Sequence, residues 1–311
     1  MPIRTFLLAN LVLFLNVLSA QSSWQPDWQA SLGSYAPQGI YRLTVCPSGQ
    51  SYFTDSFGRV TSLSPTGKVD FDQSSLPEFQ NTVVYSCDSH GHLHAVNAKQ
   101  WAVWKLDAAV QPPTLQKLRS KDISGLSLVP RQLVVSPSGD AFLFALEAKD
   151  NRAAKLLHFN ADLSLLQARV LTTTEDPAVR QLLSHGQLLY LPSGHLAFFT
   201  RHNLHSNRIN PDLSLTAPIN LEPTSLELIS SAVLPNGEIY TQSIQPAQLS
   251  KSKSKFLLSR INPANPSSID SFPLPSGVKG ILQGADANGK LYFLSVSPRT
   301  GANIYRYTLN P

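Results

Sequence analysis

Short apolar runs, separated by tight polar turns, repeat along almost the whole chain. In each copy an apolar run leads into a turn that ends in glycine, one polar residue follows, and a β-branched or aromatic run comes next. Six copies of the turn are present, at residues 45–50, 87–92, 135–140, 190–195, 233–238 and 285–290. Runs of this length and composition are typical of β-strands, and no segment has the periodicity of an amphipathic helix.

The spacing of these turns predicts the fold. The six turn glycines are separated by 42, 48, 55, 43 and 52 residues, a mean of 48. A four-stranded propeller blade takes ~40–50 residues, so each turn marks one blade. We therefore predict an all-β protein, folded as a six-bladed β-propeller.

The two ends of the chain together supply one blade. After Gly289 there remain 22 residues, and 28 residues run from Gln21 up to Gly49. We therefore expect the last blade to lack its outer strand and the stretch from Trp28 to Leu32 to complete it. Such closure joins both termini in one ring and leaves no open sheet edge. Residues 21–311 should accordingly form a single domain.

The first 20 residues predict a secretory signal peptide. Arg4 supplies a positive start, an apolar run covers residues 6–17, and the small residue Ala20 ends the segment. The alternative is an uncleaved anchor, but a run of about 12 apolar residues is short of the ~20 that span a bilayer. We expect cleavage before Gln21, a secreted or periplasmic protein, and no membrane span.

Composition and charge exclude several classes of protein. The 311 residues are 42% hydrophobic and 14% charged, which is too apolar for a disordered chain. The net charge of +5 is small for this length, and export also argues against a nucleic-acid partner. We expect a monomer that binds no nucleic acid.

The two cysteines predict one disulfide bond. Cys46 and Cys87 precede the glycines of the first two turns by three and four residues, so they fall on inner strands of adjacent blades. Counted along their strands, the two side chains point to opposite faces of their blades. A bond between neighbouring blades requires this arrangement, but it equally fits two side chains that point away from each other. Because lone cysteines in an oxidising compartment favour pairing, we predict a structural Cys46–Cys87 bond; two small buried hydrophobes are the alternative.

The repeated strand, Pro-Ser-Gly turn and strand resemble the six-bladed propellers of the NHL-repeat and SMP-30/gluconolactonase type, in the TolB-like superfamily. The resemblance covers nearly all of residues 35–310 and implies the fold. It also implies an axial divalent metal in the hydrolytic members, held by Glu, Asn and Asp. The stretch matching the first ligand, residues 36–39, has no acid, and residues 131–135 lack the expected Asn. The chain therefore departs from the metal pattern at both positions.

Histidine pairs are the remaining metal-binding signal. His92 and His94 are two residues apart on one strand, and His202 and His205 are three apart in a loop. His-x-His on a strand can bind Zn²⁺ or Cu²⁺. In the alternative, His92 is the polar residue that follows the turn glycine in every repeat, and His94 packs in the core where other repeats have Tyr or Phe. The sequence identifies no third metal ligand. We therefore expect no metal and no other cofactor.

Positive charge concentrates in the loops at one end of the predicted propeller. The loops between second and third strands are residues 55–59, 97–101, 147–152, 201–208, 243–255 and 297–301. They contain ten Lys or Arg and three Asp or Glu. Because loops on a rigid scaffold commonly carry binding sites, we predict that this basic loop face binds an anionic ligand.

The candidate ligand-binding residues on this face combine charge with aromatic surface. They are Asp55, Arg59, Trp101, Arg152, Arg201, His202, His205, Arg208 and Arg299. Arginine suits bidentate binding of carboxylates better than lysine does. Trp101 offers a stacking platform, with ordinary blade packing as the alternative.

We predict a non-catalytic ligand- or protein-binding module, whose partner is an anionic small molecule, a glycan or an acidic protein surface. The alternative is a metal-dependent hydrolase or lyase of the SMP-30 type, with one Ca²⁺ or Zn²⁺. That alternative needs at least two carboxylates at the channel, drawn from the loop acids Asp55, Glu147, Asp150, Glu175 and Glu222. A third hypothesis, a structural part of an envelope assembly, predicts a large exposed apolar patch.

Overall fold

The computed structural model is a six-bladed β-propeller, as the turn spacing predicts. It describes residues 24–33, 39–73, 75–80, 84–149, 153–173, 176, 185–201, 203–204, 207–217, 226–246, 254–262 and 265–308. The predicted signal peptide, residues 1–20, lies outside the described residues. Within the described ranges, no helix has the length and apolar character needed to cross a membrane.

The first three blades are four-stranded antiparallel sheets, counted from the inner strand outward. Blade 1 contains β2 (Tyr41–Val45), β3 (Ser51–Asp55), β4 (Val60–Leu63) and β5 (Val69–Gln73). Blade 2 contains β6 (Val84–Cys87), β7 (Leu93–Val96), β8 (Gln100–Asp107) and β9 (Thr114–Asp122). Blade 3 contains β10 (Leu128–Val135), β11 (Ala141–Glu147), β12 (Ala153–Phe159) and β13 (Leu165–Thr173).

The last three blades complete the ring. Blade 4 contains β14 (Gln187–Tyr190), β15 (Leu196–Phe199) and β16 (Asn207–Ile209), followed by an isolated bridge from Ile209 to Leu215. Blade 5 contains β17 (Glu227–Val233), β18 (Ile239–Gln245), β19 (Lys255–Asn262) and β20 (Asn265–Pro273). Blade 6 contains β21 (Ile281–Ala285), β22 (Leu291–Ser297), β23 (Gly301–Tyr307) and β1 (Pro26–Ser31). Two short 3₁₀ helices, Pro77–Phe79 and Ser124–Leu126, lie in connections between blades.

The glycine turns join the first and second strands of every blade in one geometry. In blade 1 the Gly49 N–H donates to the Cys46 carbonyl at 2.9 Å, and the Cys46 N–H donates to the Gln50 carbonyl at 2.8 Å. The same two hydrogen bonds recur in the other five turns. Gly49 has a φ of 85°, a conformation that side chains with a Cβ resist, so the sequence repeat reflects a backbone requirement.

The N-terminal strand closes the ring. β1 pairs antiparallel with β23, with Trp28 opposite Arg306 and Gln29 opposite Tyr305. The Trp28 Nε1–H also donates to the Pro65 carbonyl at 3.0 Å, in the turn between β4 and β5 of blade 1. The prediction that the N-terminal stretch completes the last blade is therefore confirmed, with the strand beginning two residues earlier than expected.

The hydrophobic core lies between the blades. Six apolar clusters are present among the described residues, and each joins one pair of neighbouring blades. Trp101 of blade 2, for example, packs edge-on against Phe159 of blade 3 with ring centroids 4.9 Å apart. Burying an aromatic side chain of this kind stabilises the folded state by about 1.5–3 kcal/mol, so each blade depends on its neighbours.

A disulfide bond links the first two blades. Cys46, just after β2, is bonded to Cys87, the last residue of β6, with the Cα atoms 5.0 Å apart. Both side chains are buried. The predicted Cys46–Cys87 bond is confirmed, and it fixes the inner strands of blades 1 and 2 to each other at the end that carries the glycine turns.

Candidate functional site

The predicted ligand-binding residues of blade 1 already contact groups of their own blade. Asp55 is buried, and its Oδ1 accepts the N–H groups of Phe57 and Arg59, each at 2.9 Å. Arg59 forms a two-point ion pair with Asp72, with Nε–Oδ1 at 2.9 Å and Nη2–Oδ2 at 2.7 Å. Burial raises the pKa of Asp72, but hydrogen bonds from Arg59 and Thr61 outweigh it and hold the pKa below its usual value. Asp55 thus stabilises its turn, and Asp72 neutralises Arg59.

The remaining predicted arginines do not gather into one site. Arg201 is ion-paired with Glu227, with Nε–Oε1 at 2.8 Å. Arg208 lies on β16, and its Nη2 is 2.8 Å from Nε2 of His195 at a glycine turn, so it belongs to the blade and not to the loop face. Arg299 is exposed, and its guanidinium has no hydrogen-bond partner in the described part of the chain. Arg152, His202 and His205 lie outside the described residues.

Trp101 belongs to the packing between blades. Its side chain is fully buried, and its Nε1–H points to Nδ1 of His94 at 3.4 Å. A ring with no exposed surface offers no stacking platform to a ligand. The blade-packing alternative therefore describes Trp101, and the aromatic component of the predicted loop face is absent at this position.

A central channel runs through the ring of blades. The inner strands β2, β6, β10, β14, β17 and β21 contact one another around the ring. They enclose a channel of about 460 Å³. Its lining residues include the polar Thr44, Ser86, Gln132, Gln187, Ser230 and Gln283 beside aliphatic residues, and the wall exposes more polar than apolar surface. Sites for small ligands commonly have a volume of this order.

Arg42 is the one charged side chain among the described residues that line the channel. No residue in the described ranges accepts a hydrogen bond from it or forms an ion pair with it. Burial lowers the pKa of the Arg42 guanidinium, an effect that Tyr85 partly opposes, but arginine remains protonated at physiological pH. The channel therefore contains a partly desolvated positive charge without a counter-charge from the described protein groups.

Hydrogen-bonding groups of the channel wall are only partly used. The Gln187 side chain donates to the Ile229 carbonyl at 2.8 Å, and the Gln283 side chain accepts the Leu43 N–H at 3.3 Å. These contacts join blade 4 to blade 5 and blade 6 to blade 1. Two neutral polar groups of blade 5, the buried hydroxyl oxygens of Ser230 and Ser231, have no hydrogen-bond partner among the described residues.

Three of the six inner strands carry a β-bulge. The register shifts between Pro130 and Gln132, between Leu228 and Ser230, and between Leu282 and Gly284. A bulge bends its strand locally and redirects side chains, and bulges are over-represented beside functional sites. The irregularities occur in the strands that form the channel wall.

The channel does not fit the axial metal that the family resemblance implies. No Asp, Glu or His is found among the described residues that line it, whereas a hard cation such as Ca²⁺ requires several oxygen ligands, usually including carboxylates. Asp55 stabilises its turn, and Glu147 pairs with Lys155 at 3.0 Å. The other three candidate acids, Asp150, Glu175 and Glu222, lie outside the described residues.

A second polar cluster surrounds the glycine turn of blade 2. Asp88, His90 and His92 each offer one ligand atom, and these atoms lie within 4.8 Å of one another. Asp88 Oδ2 is 2.9 Å from Nδ1 of His92 and 3.6 Å from Nε2 of the buried His94. Burial raises the pKa of Asp88, but the two neighbouring histidines outweigh it and hold the pKa well below its usual value. The structure thus supplies a third and a fourth group beside the His92 and His94 pair.

Sequence comparisons do not assign the chain to a family. No protein-family model matches the sequence, and no curated protein matches it.

Solved structures, in contrast, match over almost the whole chain. Regucalcin, a calcium-binding protein from Agrobacterium tumefaciens, has a TM-score of 0.56 and 13% identity, covering 93% of this chain and 97% of its own. A gluconolactonase from Xanthomonas campestris has a TM-score of 0.54 and 11% identity, covering 92% and 88%. Virginiamycin B lyase from Staphylococcus aureus has a TM-score of 0.53 and 12% identity, covering 91% and 99%. The suspected resemblance is confirmed for the propeller fold. Sequence identities this low show similarity of fold alone.

Proposed function

We propose that the protein is an exported, non-catalytic binding module whose central channel takes a small organic anion, with Arg42 as the anchor. The observation that carries this proposal is the unpaired, partly desolvated guanidinium in a channel whose described lining has no acidic side chain. Taking a charge out of water without a partner is unfavourable, so such a group favours a bound anion.

The chemistry of arginine suggests the class of ligand. A guanidinium binds carboxylate or phosphate oxygens through two parallel hydrogen bonds, which fix orientation as well as affinity. Hydrogen bonds to charged groups contribute about 1.5–3 kcal/mol each. The rest of the channel wall, which includes Thr44, Ser86 and Gln132, exposes more polar than apolar surface to a ligand. A carboxylate on a small polar molecule suits this combination.

The loop face supports a large anionic partner less well than the channel supports a small one. Arg59 and Arg201 are already paired with Asp72 and Glu227, so an acidic glycan or protein would have to displace those carboxylates. Arg299 remains exposed, but one cation at the rim contributes little affinity. We therefore favour the small-molecule form of the binding hypothesis.

Export is supported by two separate features. The first 20 residues have the order of a secretory signal, and the Cys46–Cys87 bond is of the kind that persists in oxidising compartments. We infer a secreted or periplasmic protein that works as a monomer.

The two rival hypotheses lack a supporting observation. A metal-dependent hydrolase or lyase would need converging carboxylates at the channel, and no described lining residue provides one. A structural role in an envelope assembly would need one broad apolar surface. The exposed large apolar side chains are instead distributed over strands and turns of different blades, as with Val69, Leu118 and Phe256.

The binding proposal is tested by measuring the melting temperature of the purified protein against a panel of mono- and dicarboxylates, sugar acids and organic phosphates. We expect at least one of them to stabilise the wild type, and Arg42→Met to weaken its binding about 10- to 100-fold in calorimetry. Arg299→Met removes the same charge from an exposed position and is the matched control; it should bind as the wild type does. Equal binding by Arg42→Met, or a panel without effect, would contradict the proposal.

A further inference from the structure

We propose that the glycine turn of blade 2 binds one divalent transition-metal ion through Asp88, His90 and His92. The three ligand atoms lie within 4.8 Å of one another. Ligands around a tetrahedral Zn²⁺, at 2.0–2.1 Å from the ion, are about 3.4 Å apart, so modest side-chain rotations bring these atoms to bonding distance. This site is separate from the anion site, and neither proposal depends on the other.

The backbone of the turn fixes the first ligand in place. Asp88 Oδ1 accepts the N–H groups of His90 and His92, each at 2.9 Å, so Oδ2, which lies 2.9 Å from Nδ1 of His92, is the oxygen that would bind an ion. The preceding residue, Cys87, is bonded to Cys46 of the neighbouring blade. A metal site gains affinity when its ligands are ordered before the ion arrives, because less conformational entropy is lost on binding.

A buried histidine next to the cluster provides an independent observation. His94 has no exposed surface, and its Nε2 has no hydrogen-bond partner in the described part of the protein. Nδ1 of the same ring lies 3.4 Å from the Trp101 Nε1–H, a donor, so the hydrogen-bond network assigns Nδ1 as the acceptor and Nε2 as the protonated nitrogen. That Nε2–H is 3.6 Å from Asp88 Oδ2. Nε2 is therefore just beyond hydrogen-bond distance of the carboxylate, and a small shift on ion binding forms the outer hydrogen bond that commonly orients metal-binding carboxylates.

The last blade contains the same turn without histidines. Comparing the two turns shows which residues the turn conformation uses and which it does not. There Asp286 Oδ1 accepts the N–H groups of Asn288 and Lys290 at 2.8 and 3.0 Å. The hydroxyl of Tyr292, which replaces His94, is 3.2 Å from Asp286 Oδ2. The aspartate thus holds the turn in the same way with Asn, Lys and Tyr at the three histidine positions. The turn geometry does not explain the three histidines of blade 2.

The donor set indicates the kind of ion. Two imidazoles and one carboxylate suit Zn²⁺ or Cu²⁺, whereas Ca²⁺ and Mg²⁺ prefer all-oxygen sites. His90 is exposed and His92 is half-buried, so the turn lies at the surface, where a solvent molecule can complete a fourth position. Among first-row divalent ions we expect Cu²⁺ to bind more tightly than Zn²⁺.

The test is metal binding by the purified full chain, after chelator treatment and dialysis against Zn²⁺ or Cu²⁺. The wild type should retain one ion per chain. The double variant His90→Asn/His92→Lys copies the turn of the last blade, so the fold should survive while the affinity falls at least 100-fold. His195→Gln is the matched control, because it removes a histidine from the same turn-exit position in blade 4 and copies Gln50 of blade 1. It should bind the ion as the wild type does.

Two results would overturn the site. One is a wild type that holds no ion in stoichiometric amount. The other is a double variant that binds as tightly as the wild type while its near-ultraviolet circular dichroism remains native, since the ion would then lie elsewhere.

His94 acts as a positioning residue, and a pair of variants tests it. His94→Phe, which copies Phe142 of blade 3, should weaken metal binding about 10- to 100-fold because Asp88 loses its outer donor. His94→Tyr, which copies Tyr292, restores a hydroxyl donor and should recover most of the affinity. Equal affinity in the two variants would rule out the positioning role, because a purely structural side chain does not distinguish them by metal affinity.

Discussion

The hydroxyl of Tyr292, in blade 6, donates a hydrogen bond to the carbonyl of Gly49, in the glycine turn of blade 1, at 3.0 Å. The two residues are 243 positions apart in the chain and meet where the ring closes. Tyr52 makes the equivalent bond from blade 1 to Gly91 of blade 2 at 2.9 Å. In blades 6 and 1, the tyrosine three residues after the turn glycine thus links its blade to the next glycine turn.

Removing this bond should weaken the closure of the ring. Tyr292→Phe keeps the buried ring but leaves the Gly49 carbonyl without its donor, in a place where neither group is reached by water. We expect the free energy of unfolding to fall by about 1–3 kcal/mol in urea denaturation.

Tyr240→Phe is the control for that measurement. Tyr240 occupies the same repeat position in blade 5, but its hydroxyl interacts with Arg260 of its own blade. We expect a smaller loss in this variant. Equal losses in the two variants would show that the bond to Gly49 has no special part in closing the ring.

The same tyrosine predicts a loss of stability in alkali. Burial, together with the carboxylate of Asp286, raises the pKa of the Tyr292 hydroxyl above its usual value. The unfolded chain then ionises first, so this contribution is complete below about pH 10 and declines above it by up to about 1.4 kcal/mol per pH unit. The stability difference between wild type and Tyr292→Phe should therefore shrink between pH 9 and pH 11. A difference that stays constant over this range in urea denaturation would contradict the pKa shift.

The fold was predictable because its determinants are local and repeated. The turn around Gly49 needs glycine for its positive φ, and that need recurs in every blade at a period that matches four strands. The closure by β1 followed from counting residues at the two ends. The disulfide followed from the position of Cys46 and Cys87 relative to the same turns.

The functional surfaces were less predictable because charge pairing is a tertiary property. Arg59 is neutralised by Asp72, 13 residues away, and Arg201 by Glu227, 26 residues away. A count of charged residues in the loops includes both arginines as if they were free to bind an anion. Arg42 was missed for the opposite reason, since a single charge inside the short strand Tyr41–Val45 has no motif around it. Two of the proposed metal ligands, Asp88 and His90, lie within the repeated glycine turn, so the sequence does not distinguish them from ordinary turn residues.

Breaking the Cys46–Cys87 bond should destabilise the protein without changing its fold. The bond closes a loop with a sequence separation of 41 residues, for which the chain-entropy relation gives about 4 kcal/mol. We expect Cys46→Ala/Cys87→Ala to lower the free energy of unfolding by about 2–4 kcal/mol.

Reducing agent supplies the control for the disulfide prediction. It should destabilise the wild type by a similar amount and leave the double variant unchanged. A wild type that is insensitive to reducing agent in urea denaturation would argue against the bond as a source of stability.

Replacing Arg42 should make the ligand-free protein more stable. Its guanidinium is partly buried without a counter-charge from the described residues, so folding removes water from a charge and returns no ion pair. Arg42→Met keeps an extended apolar side chain and removes that charge. We expect the free energy of unfolding, measured in urea without added ligand, to rise by about 1 kcal/mol.

The matched comparison is Arg59→Met, which leaves Asp72 without its ion-pair partner. We expect this substitution to leave the free energy of unfolding unchanged or to lower it by up to about 1 kcal/mol. A side chain that costs stability in the free protein and is needed for binding has the energetic profile of a ligand anchor. If Arg42→Met instead destabilises the protein by more than Arg59→Met does, Arg42 holds the channel wall together, and its assignment as the anchor fails.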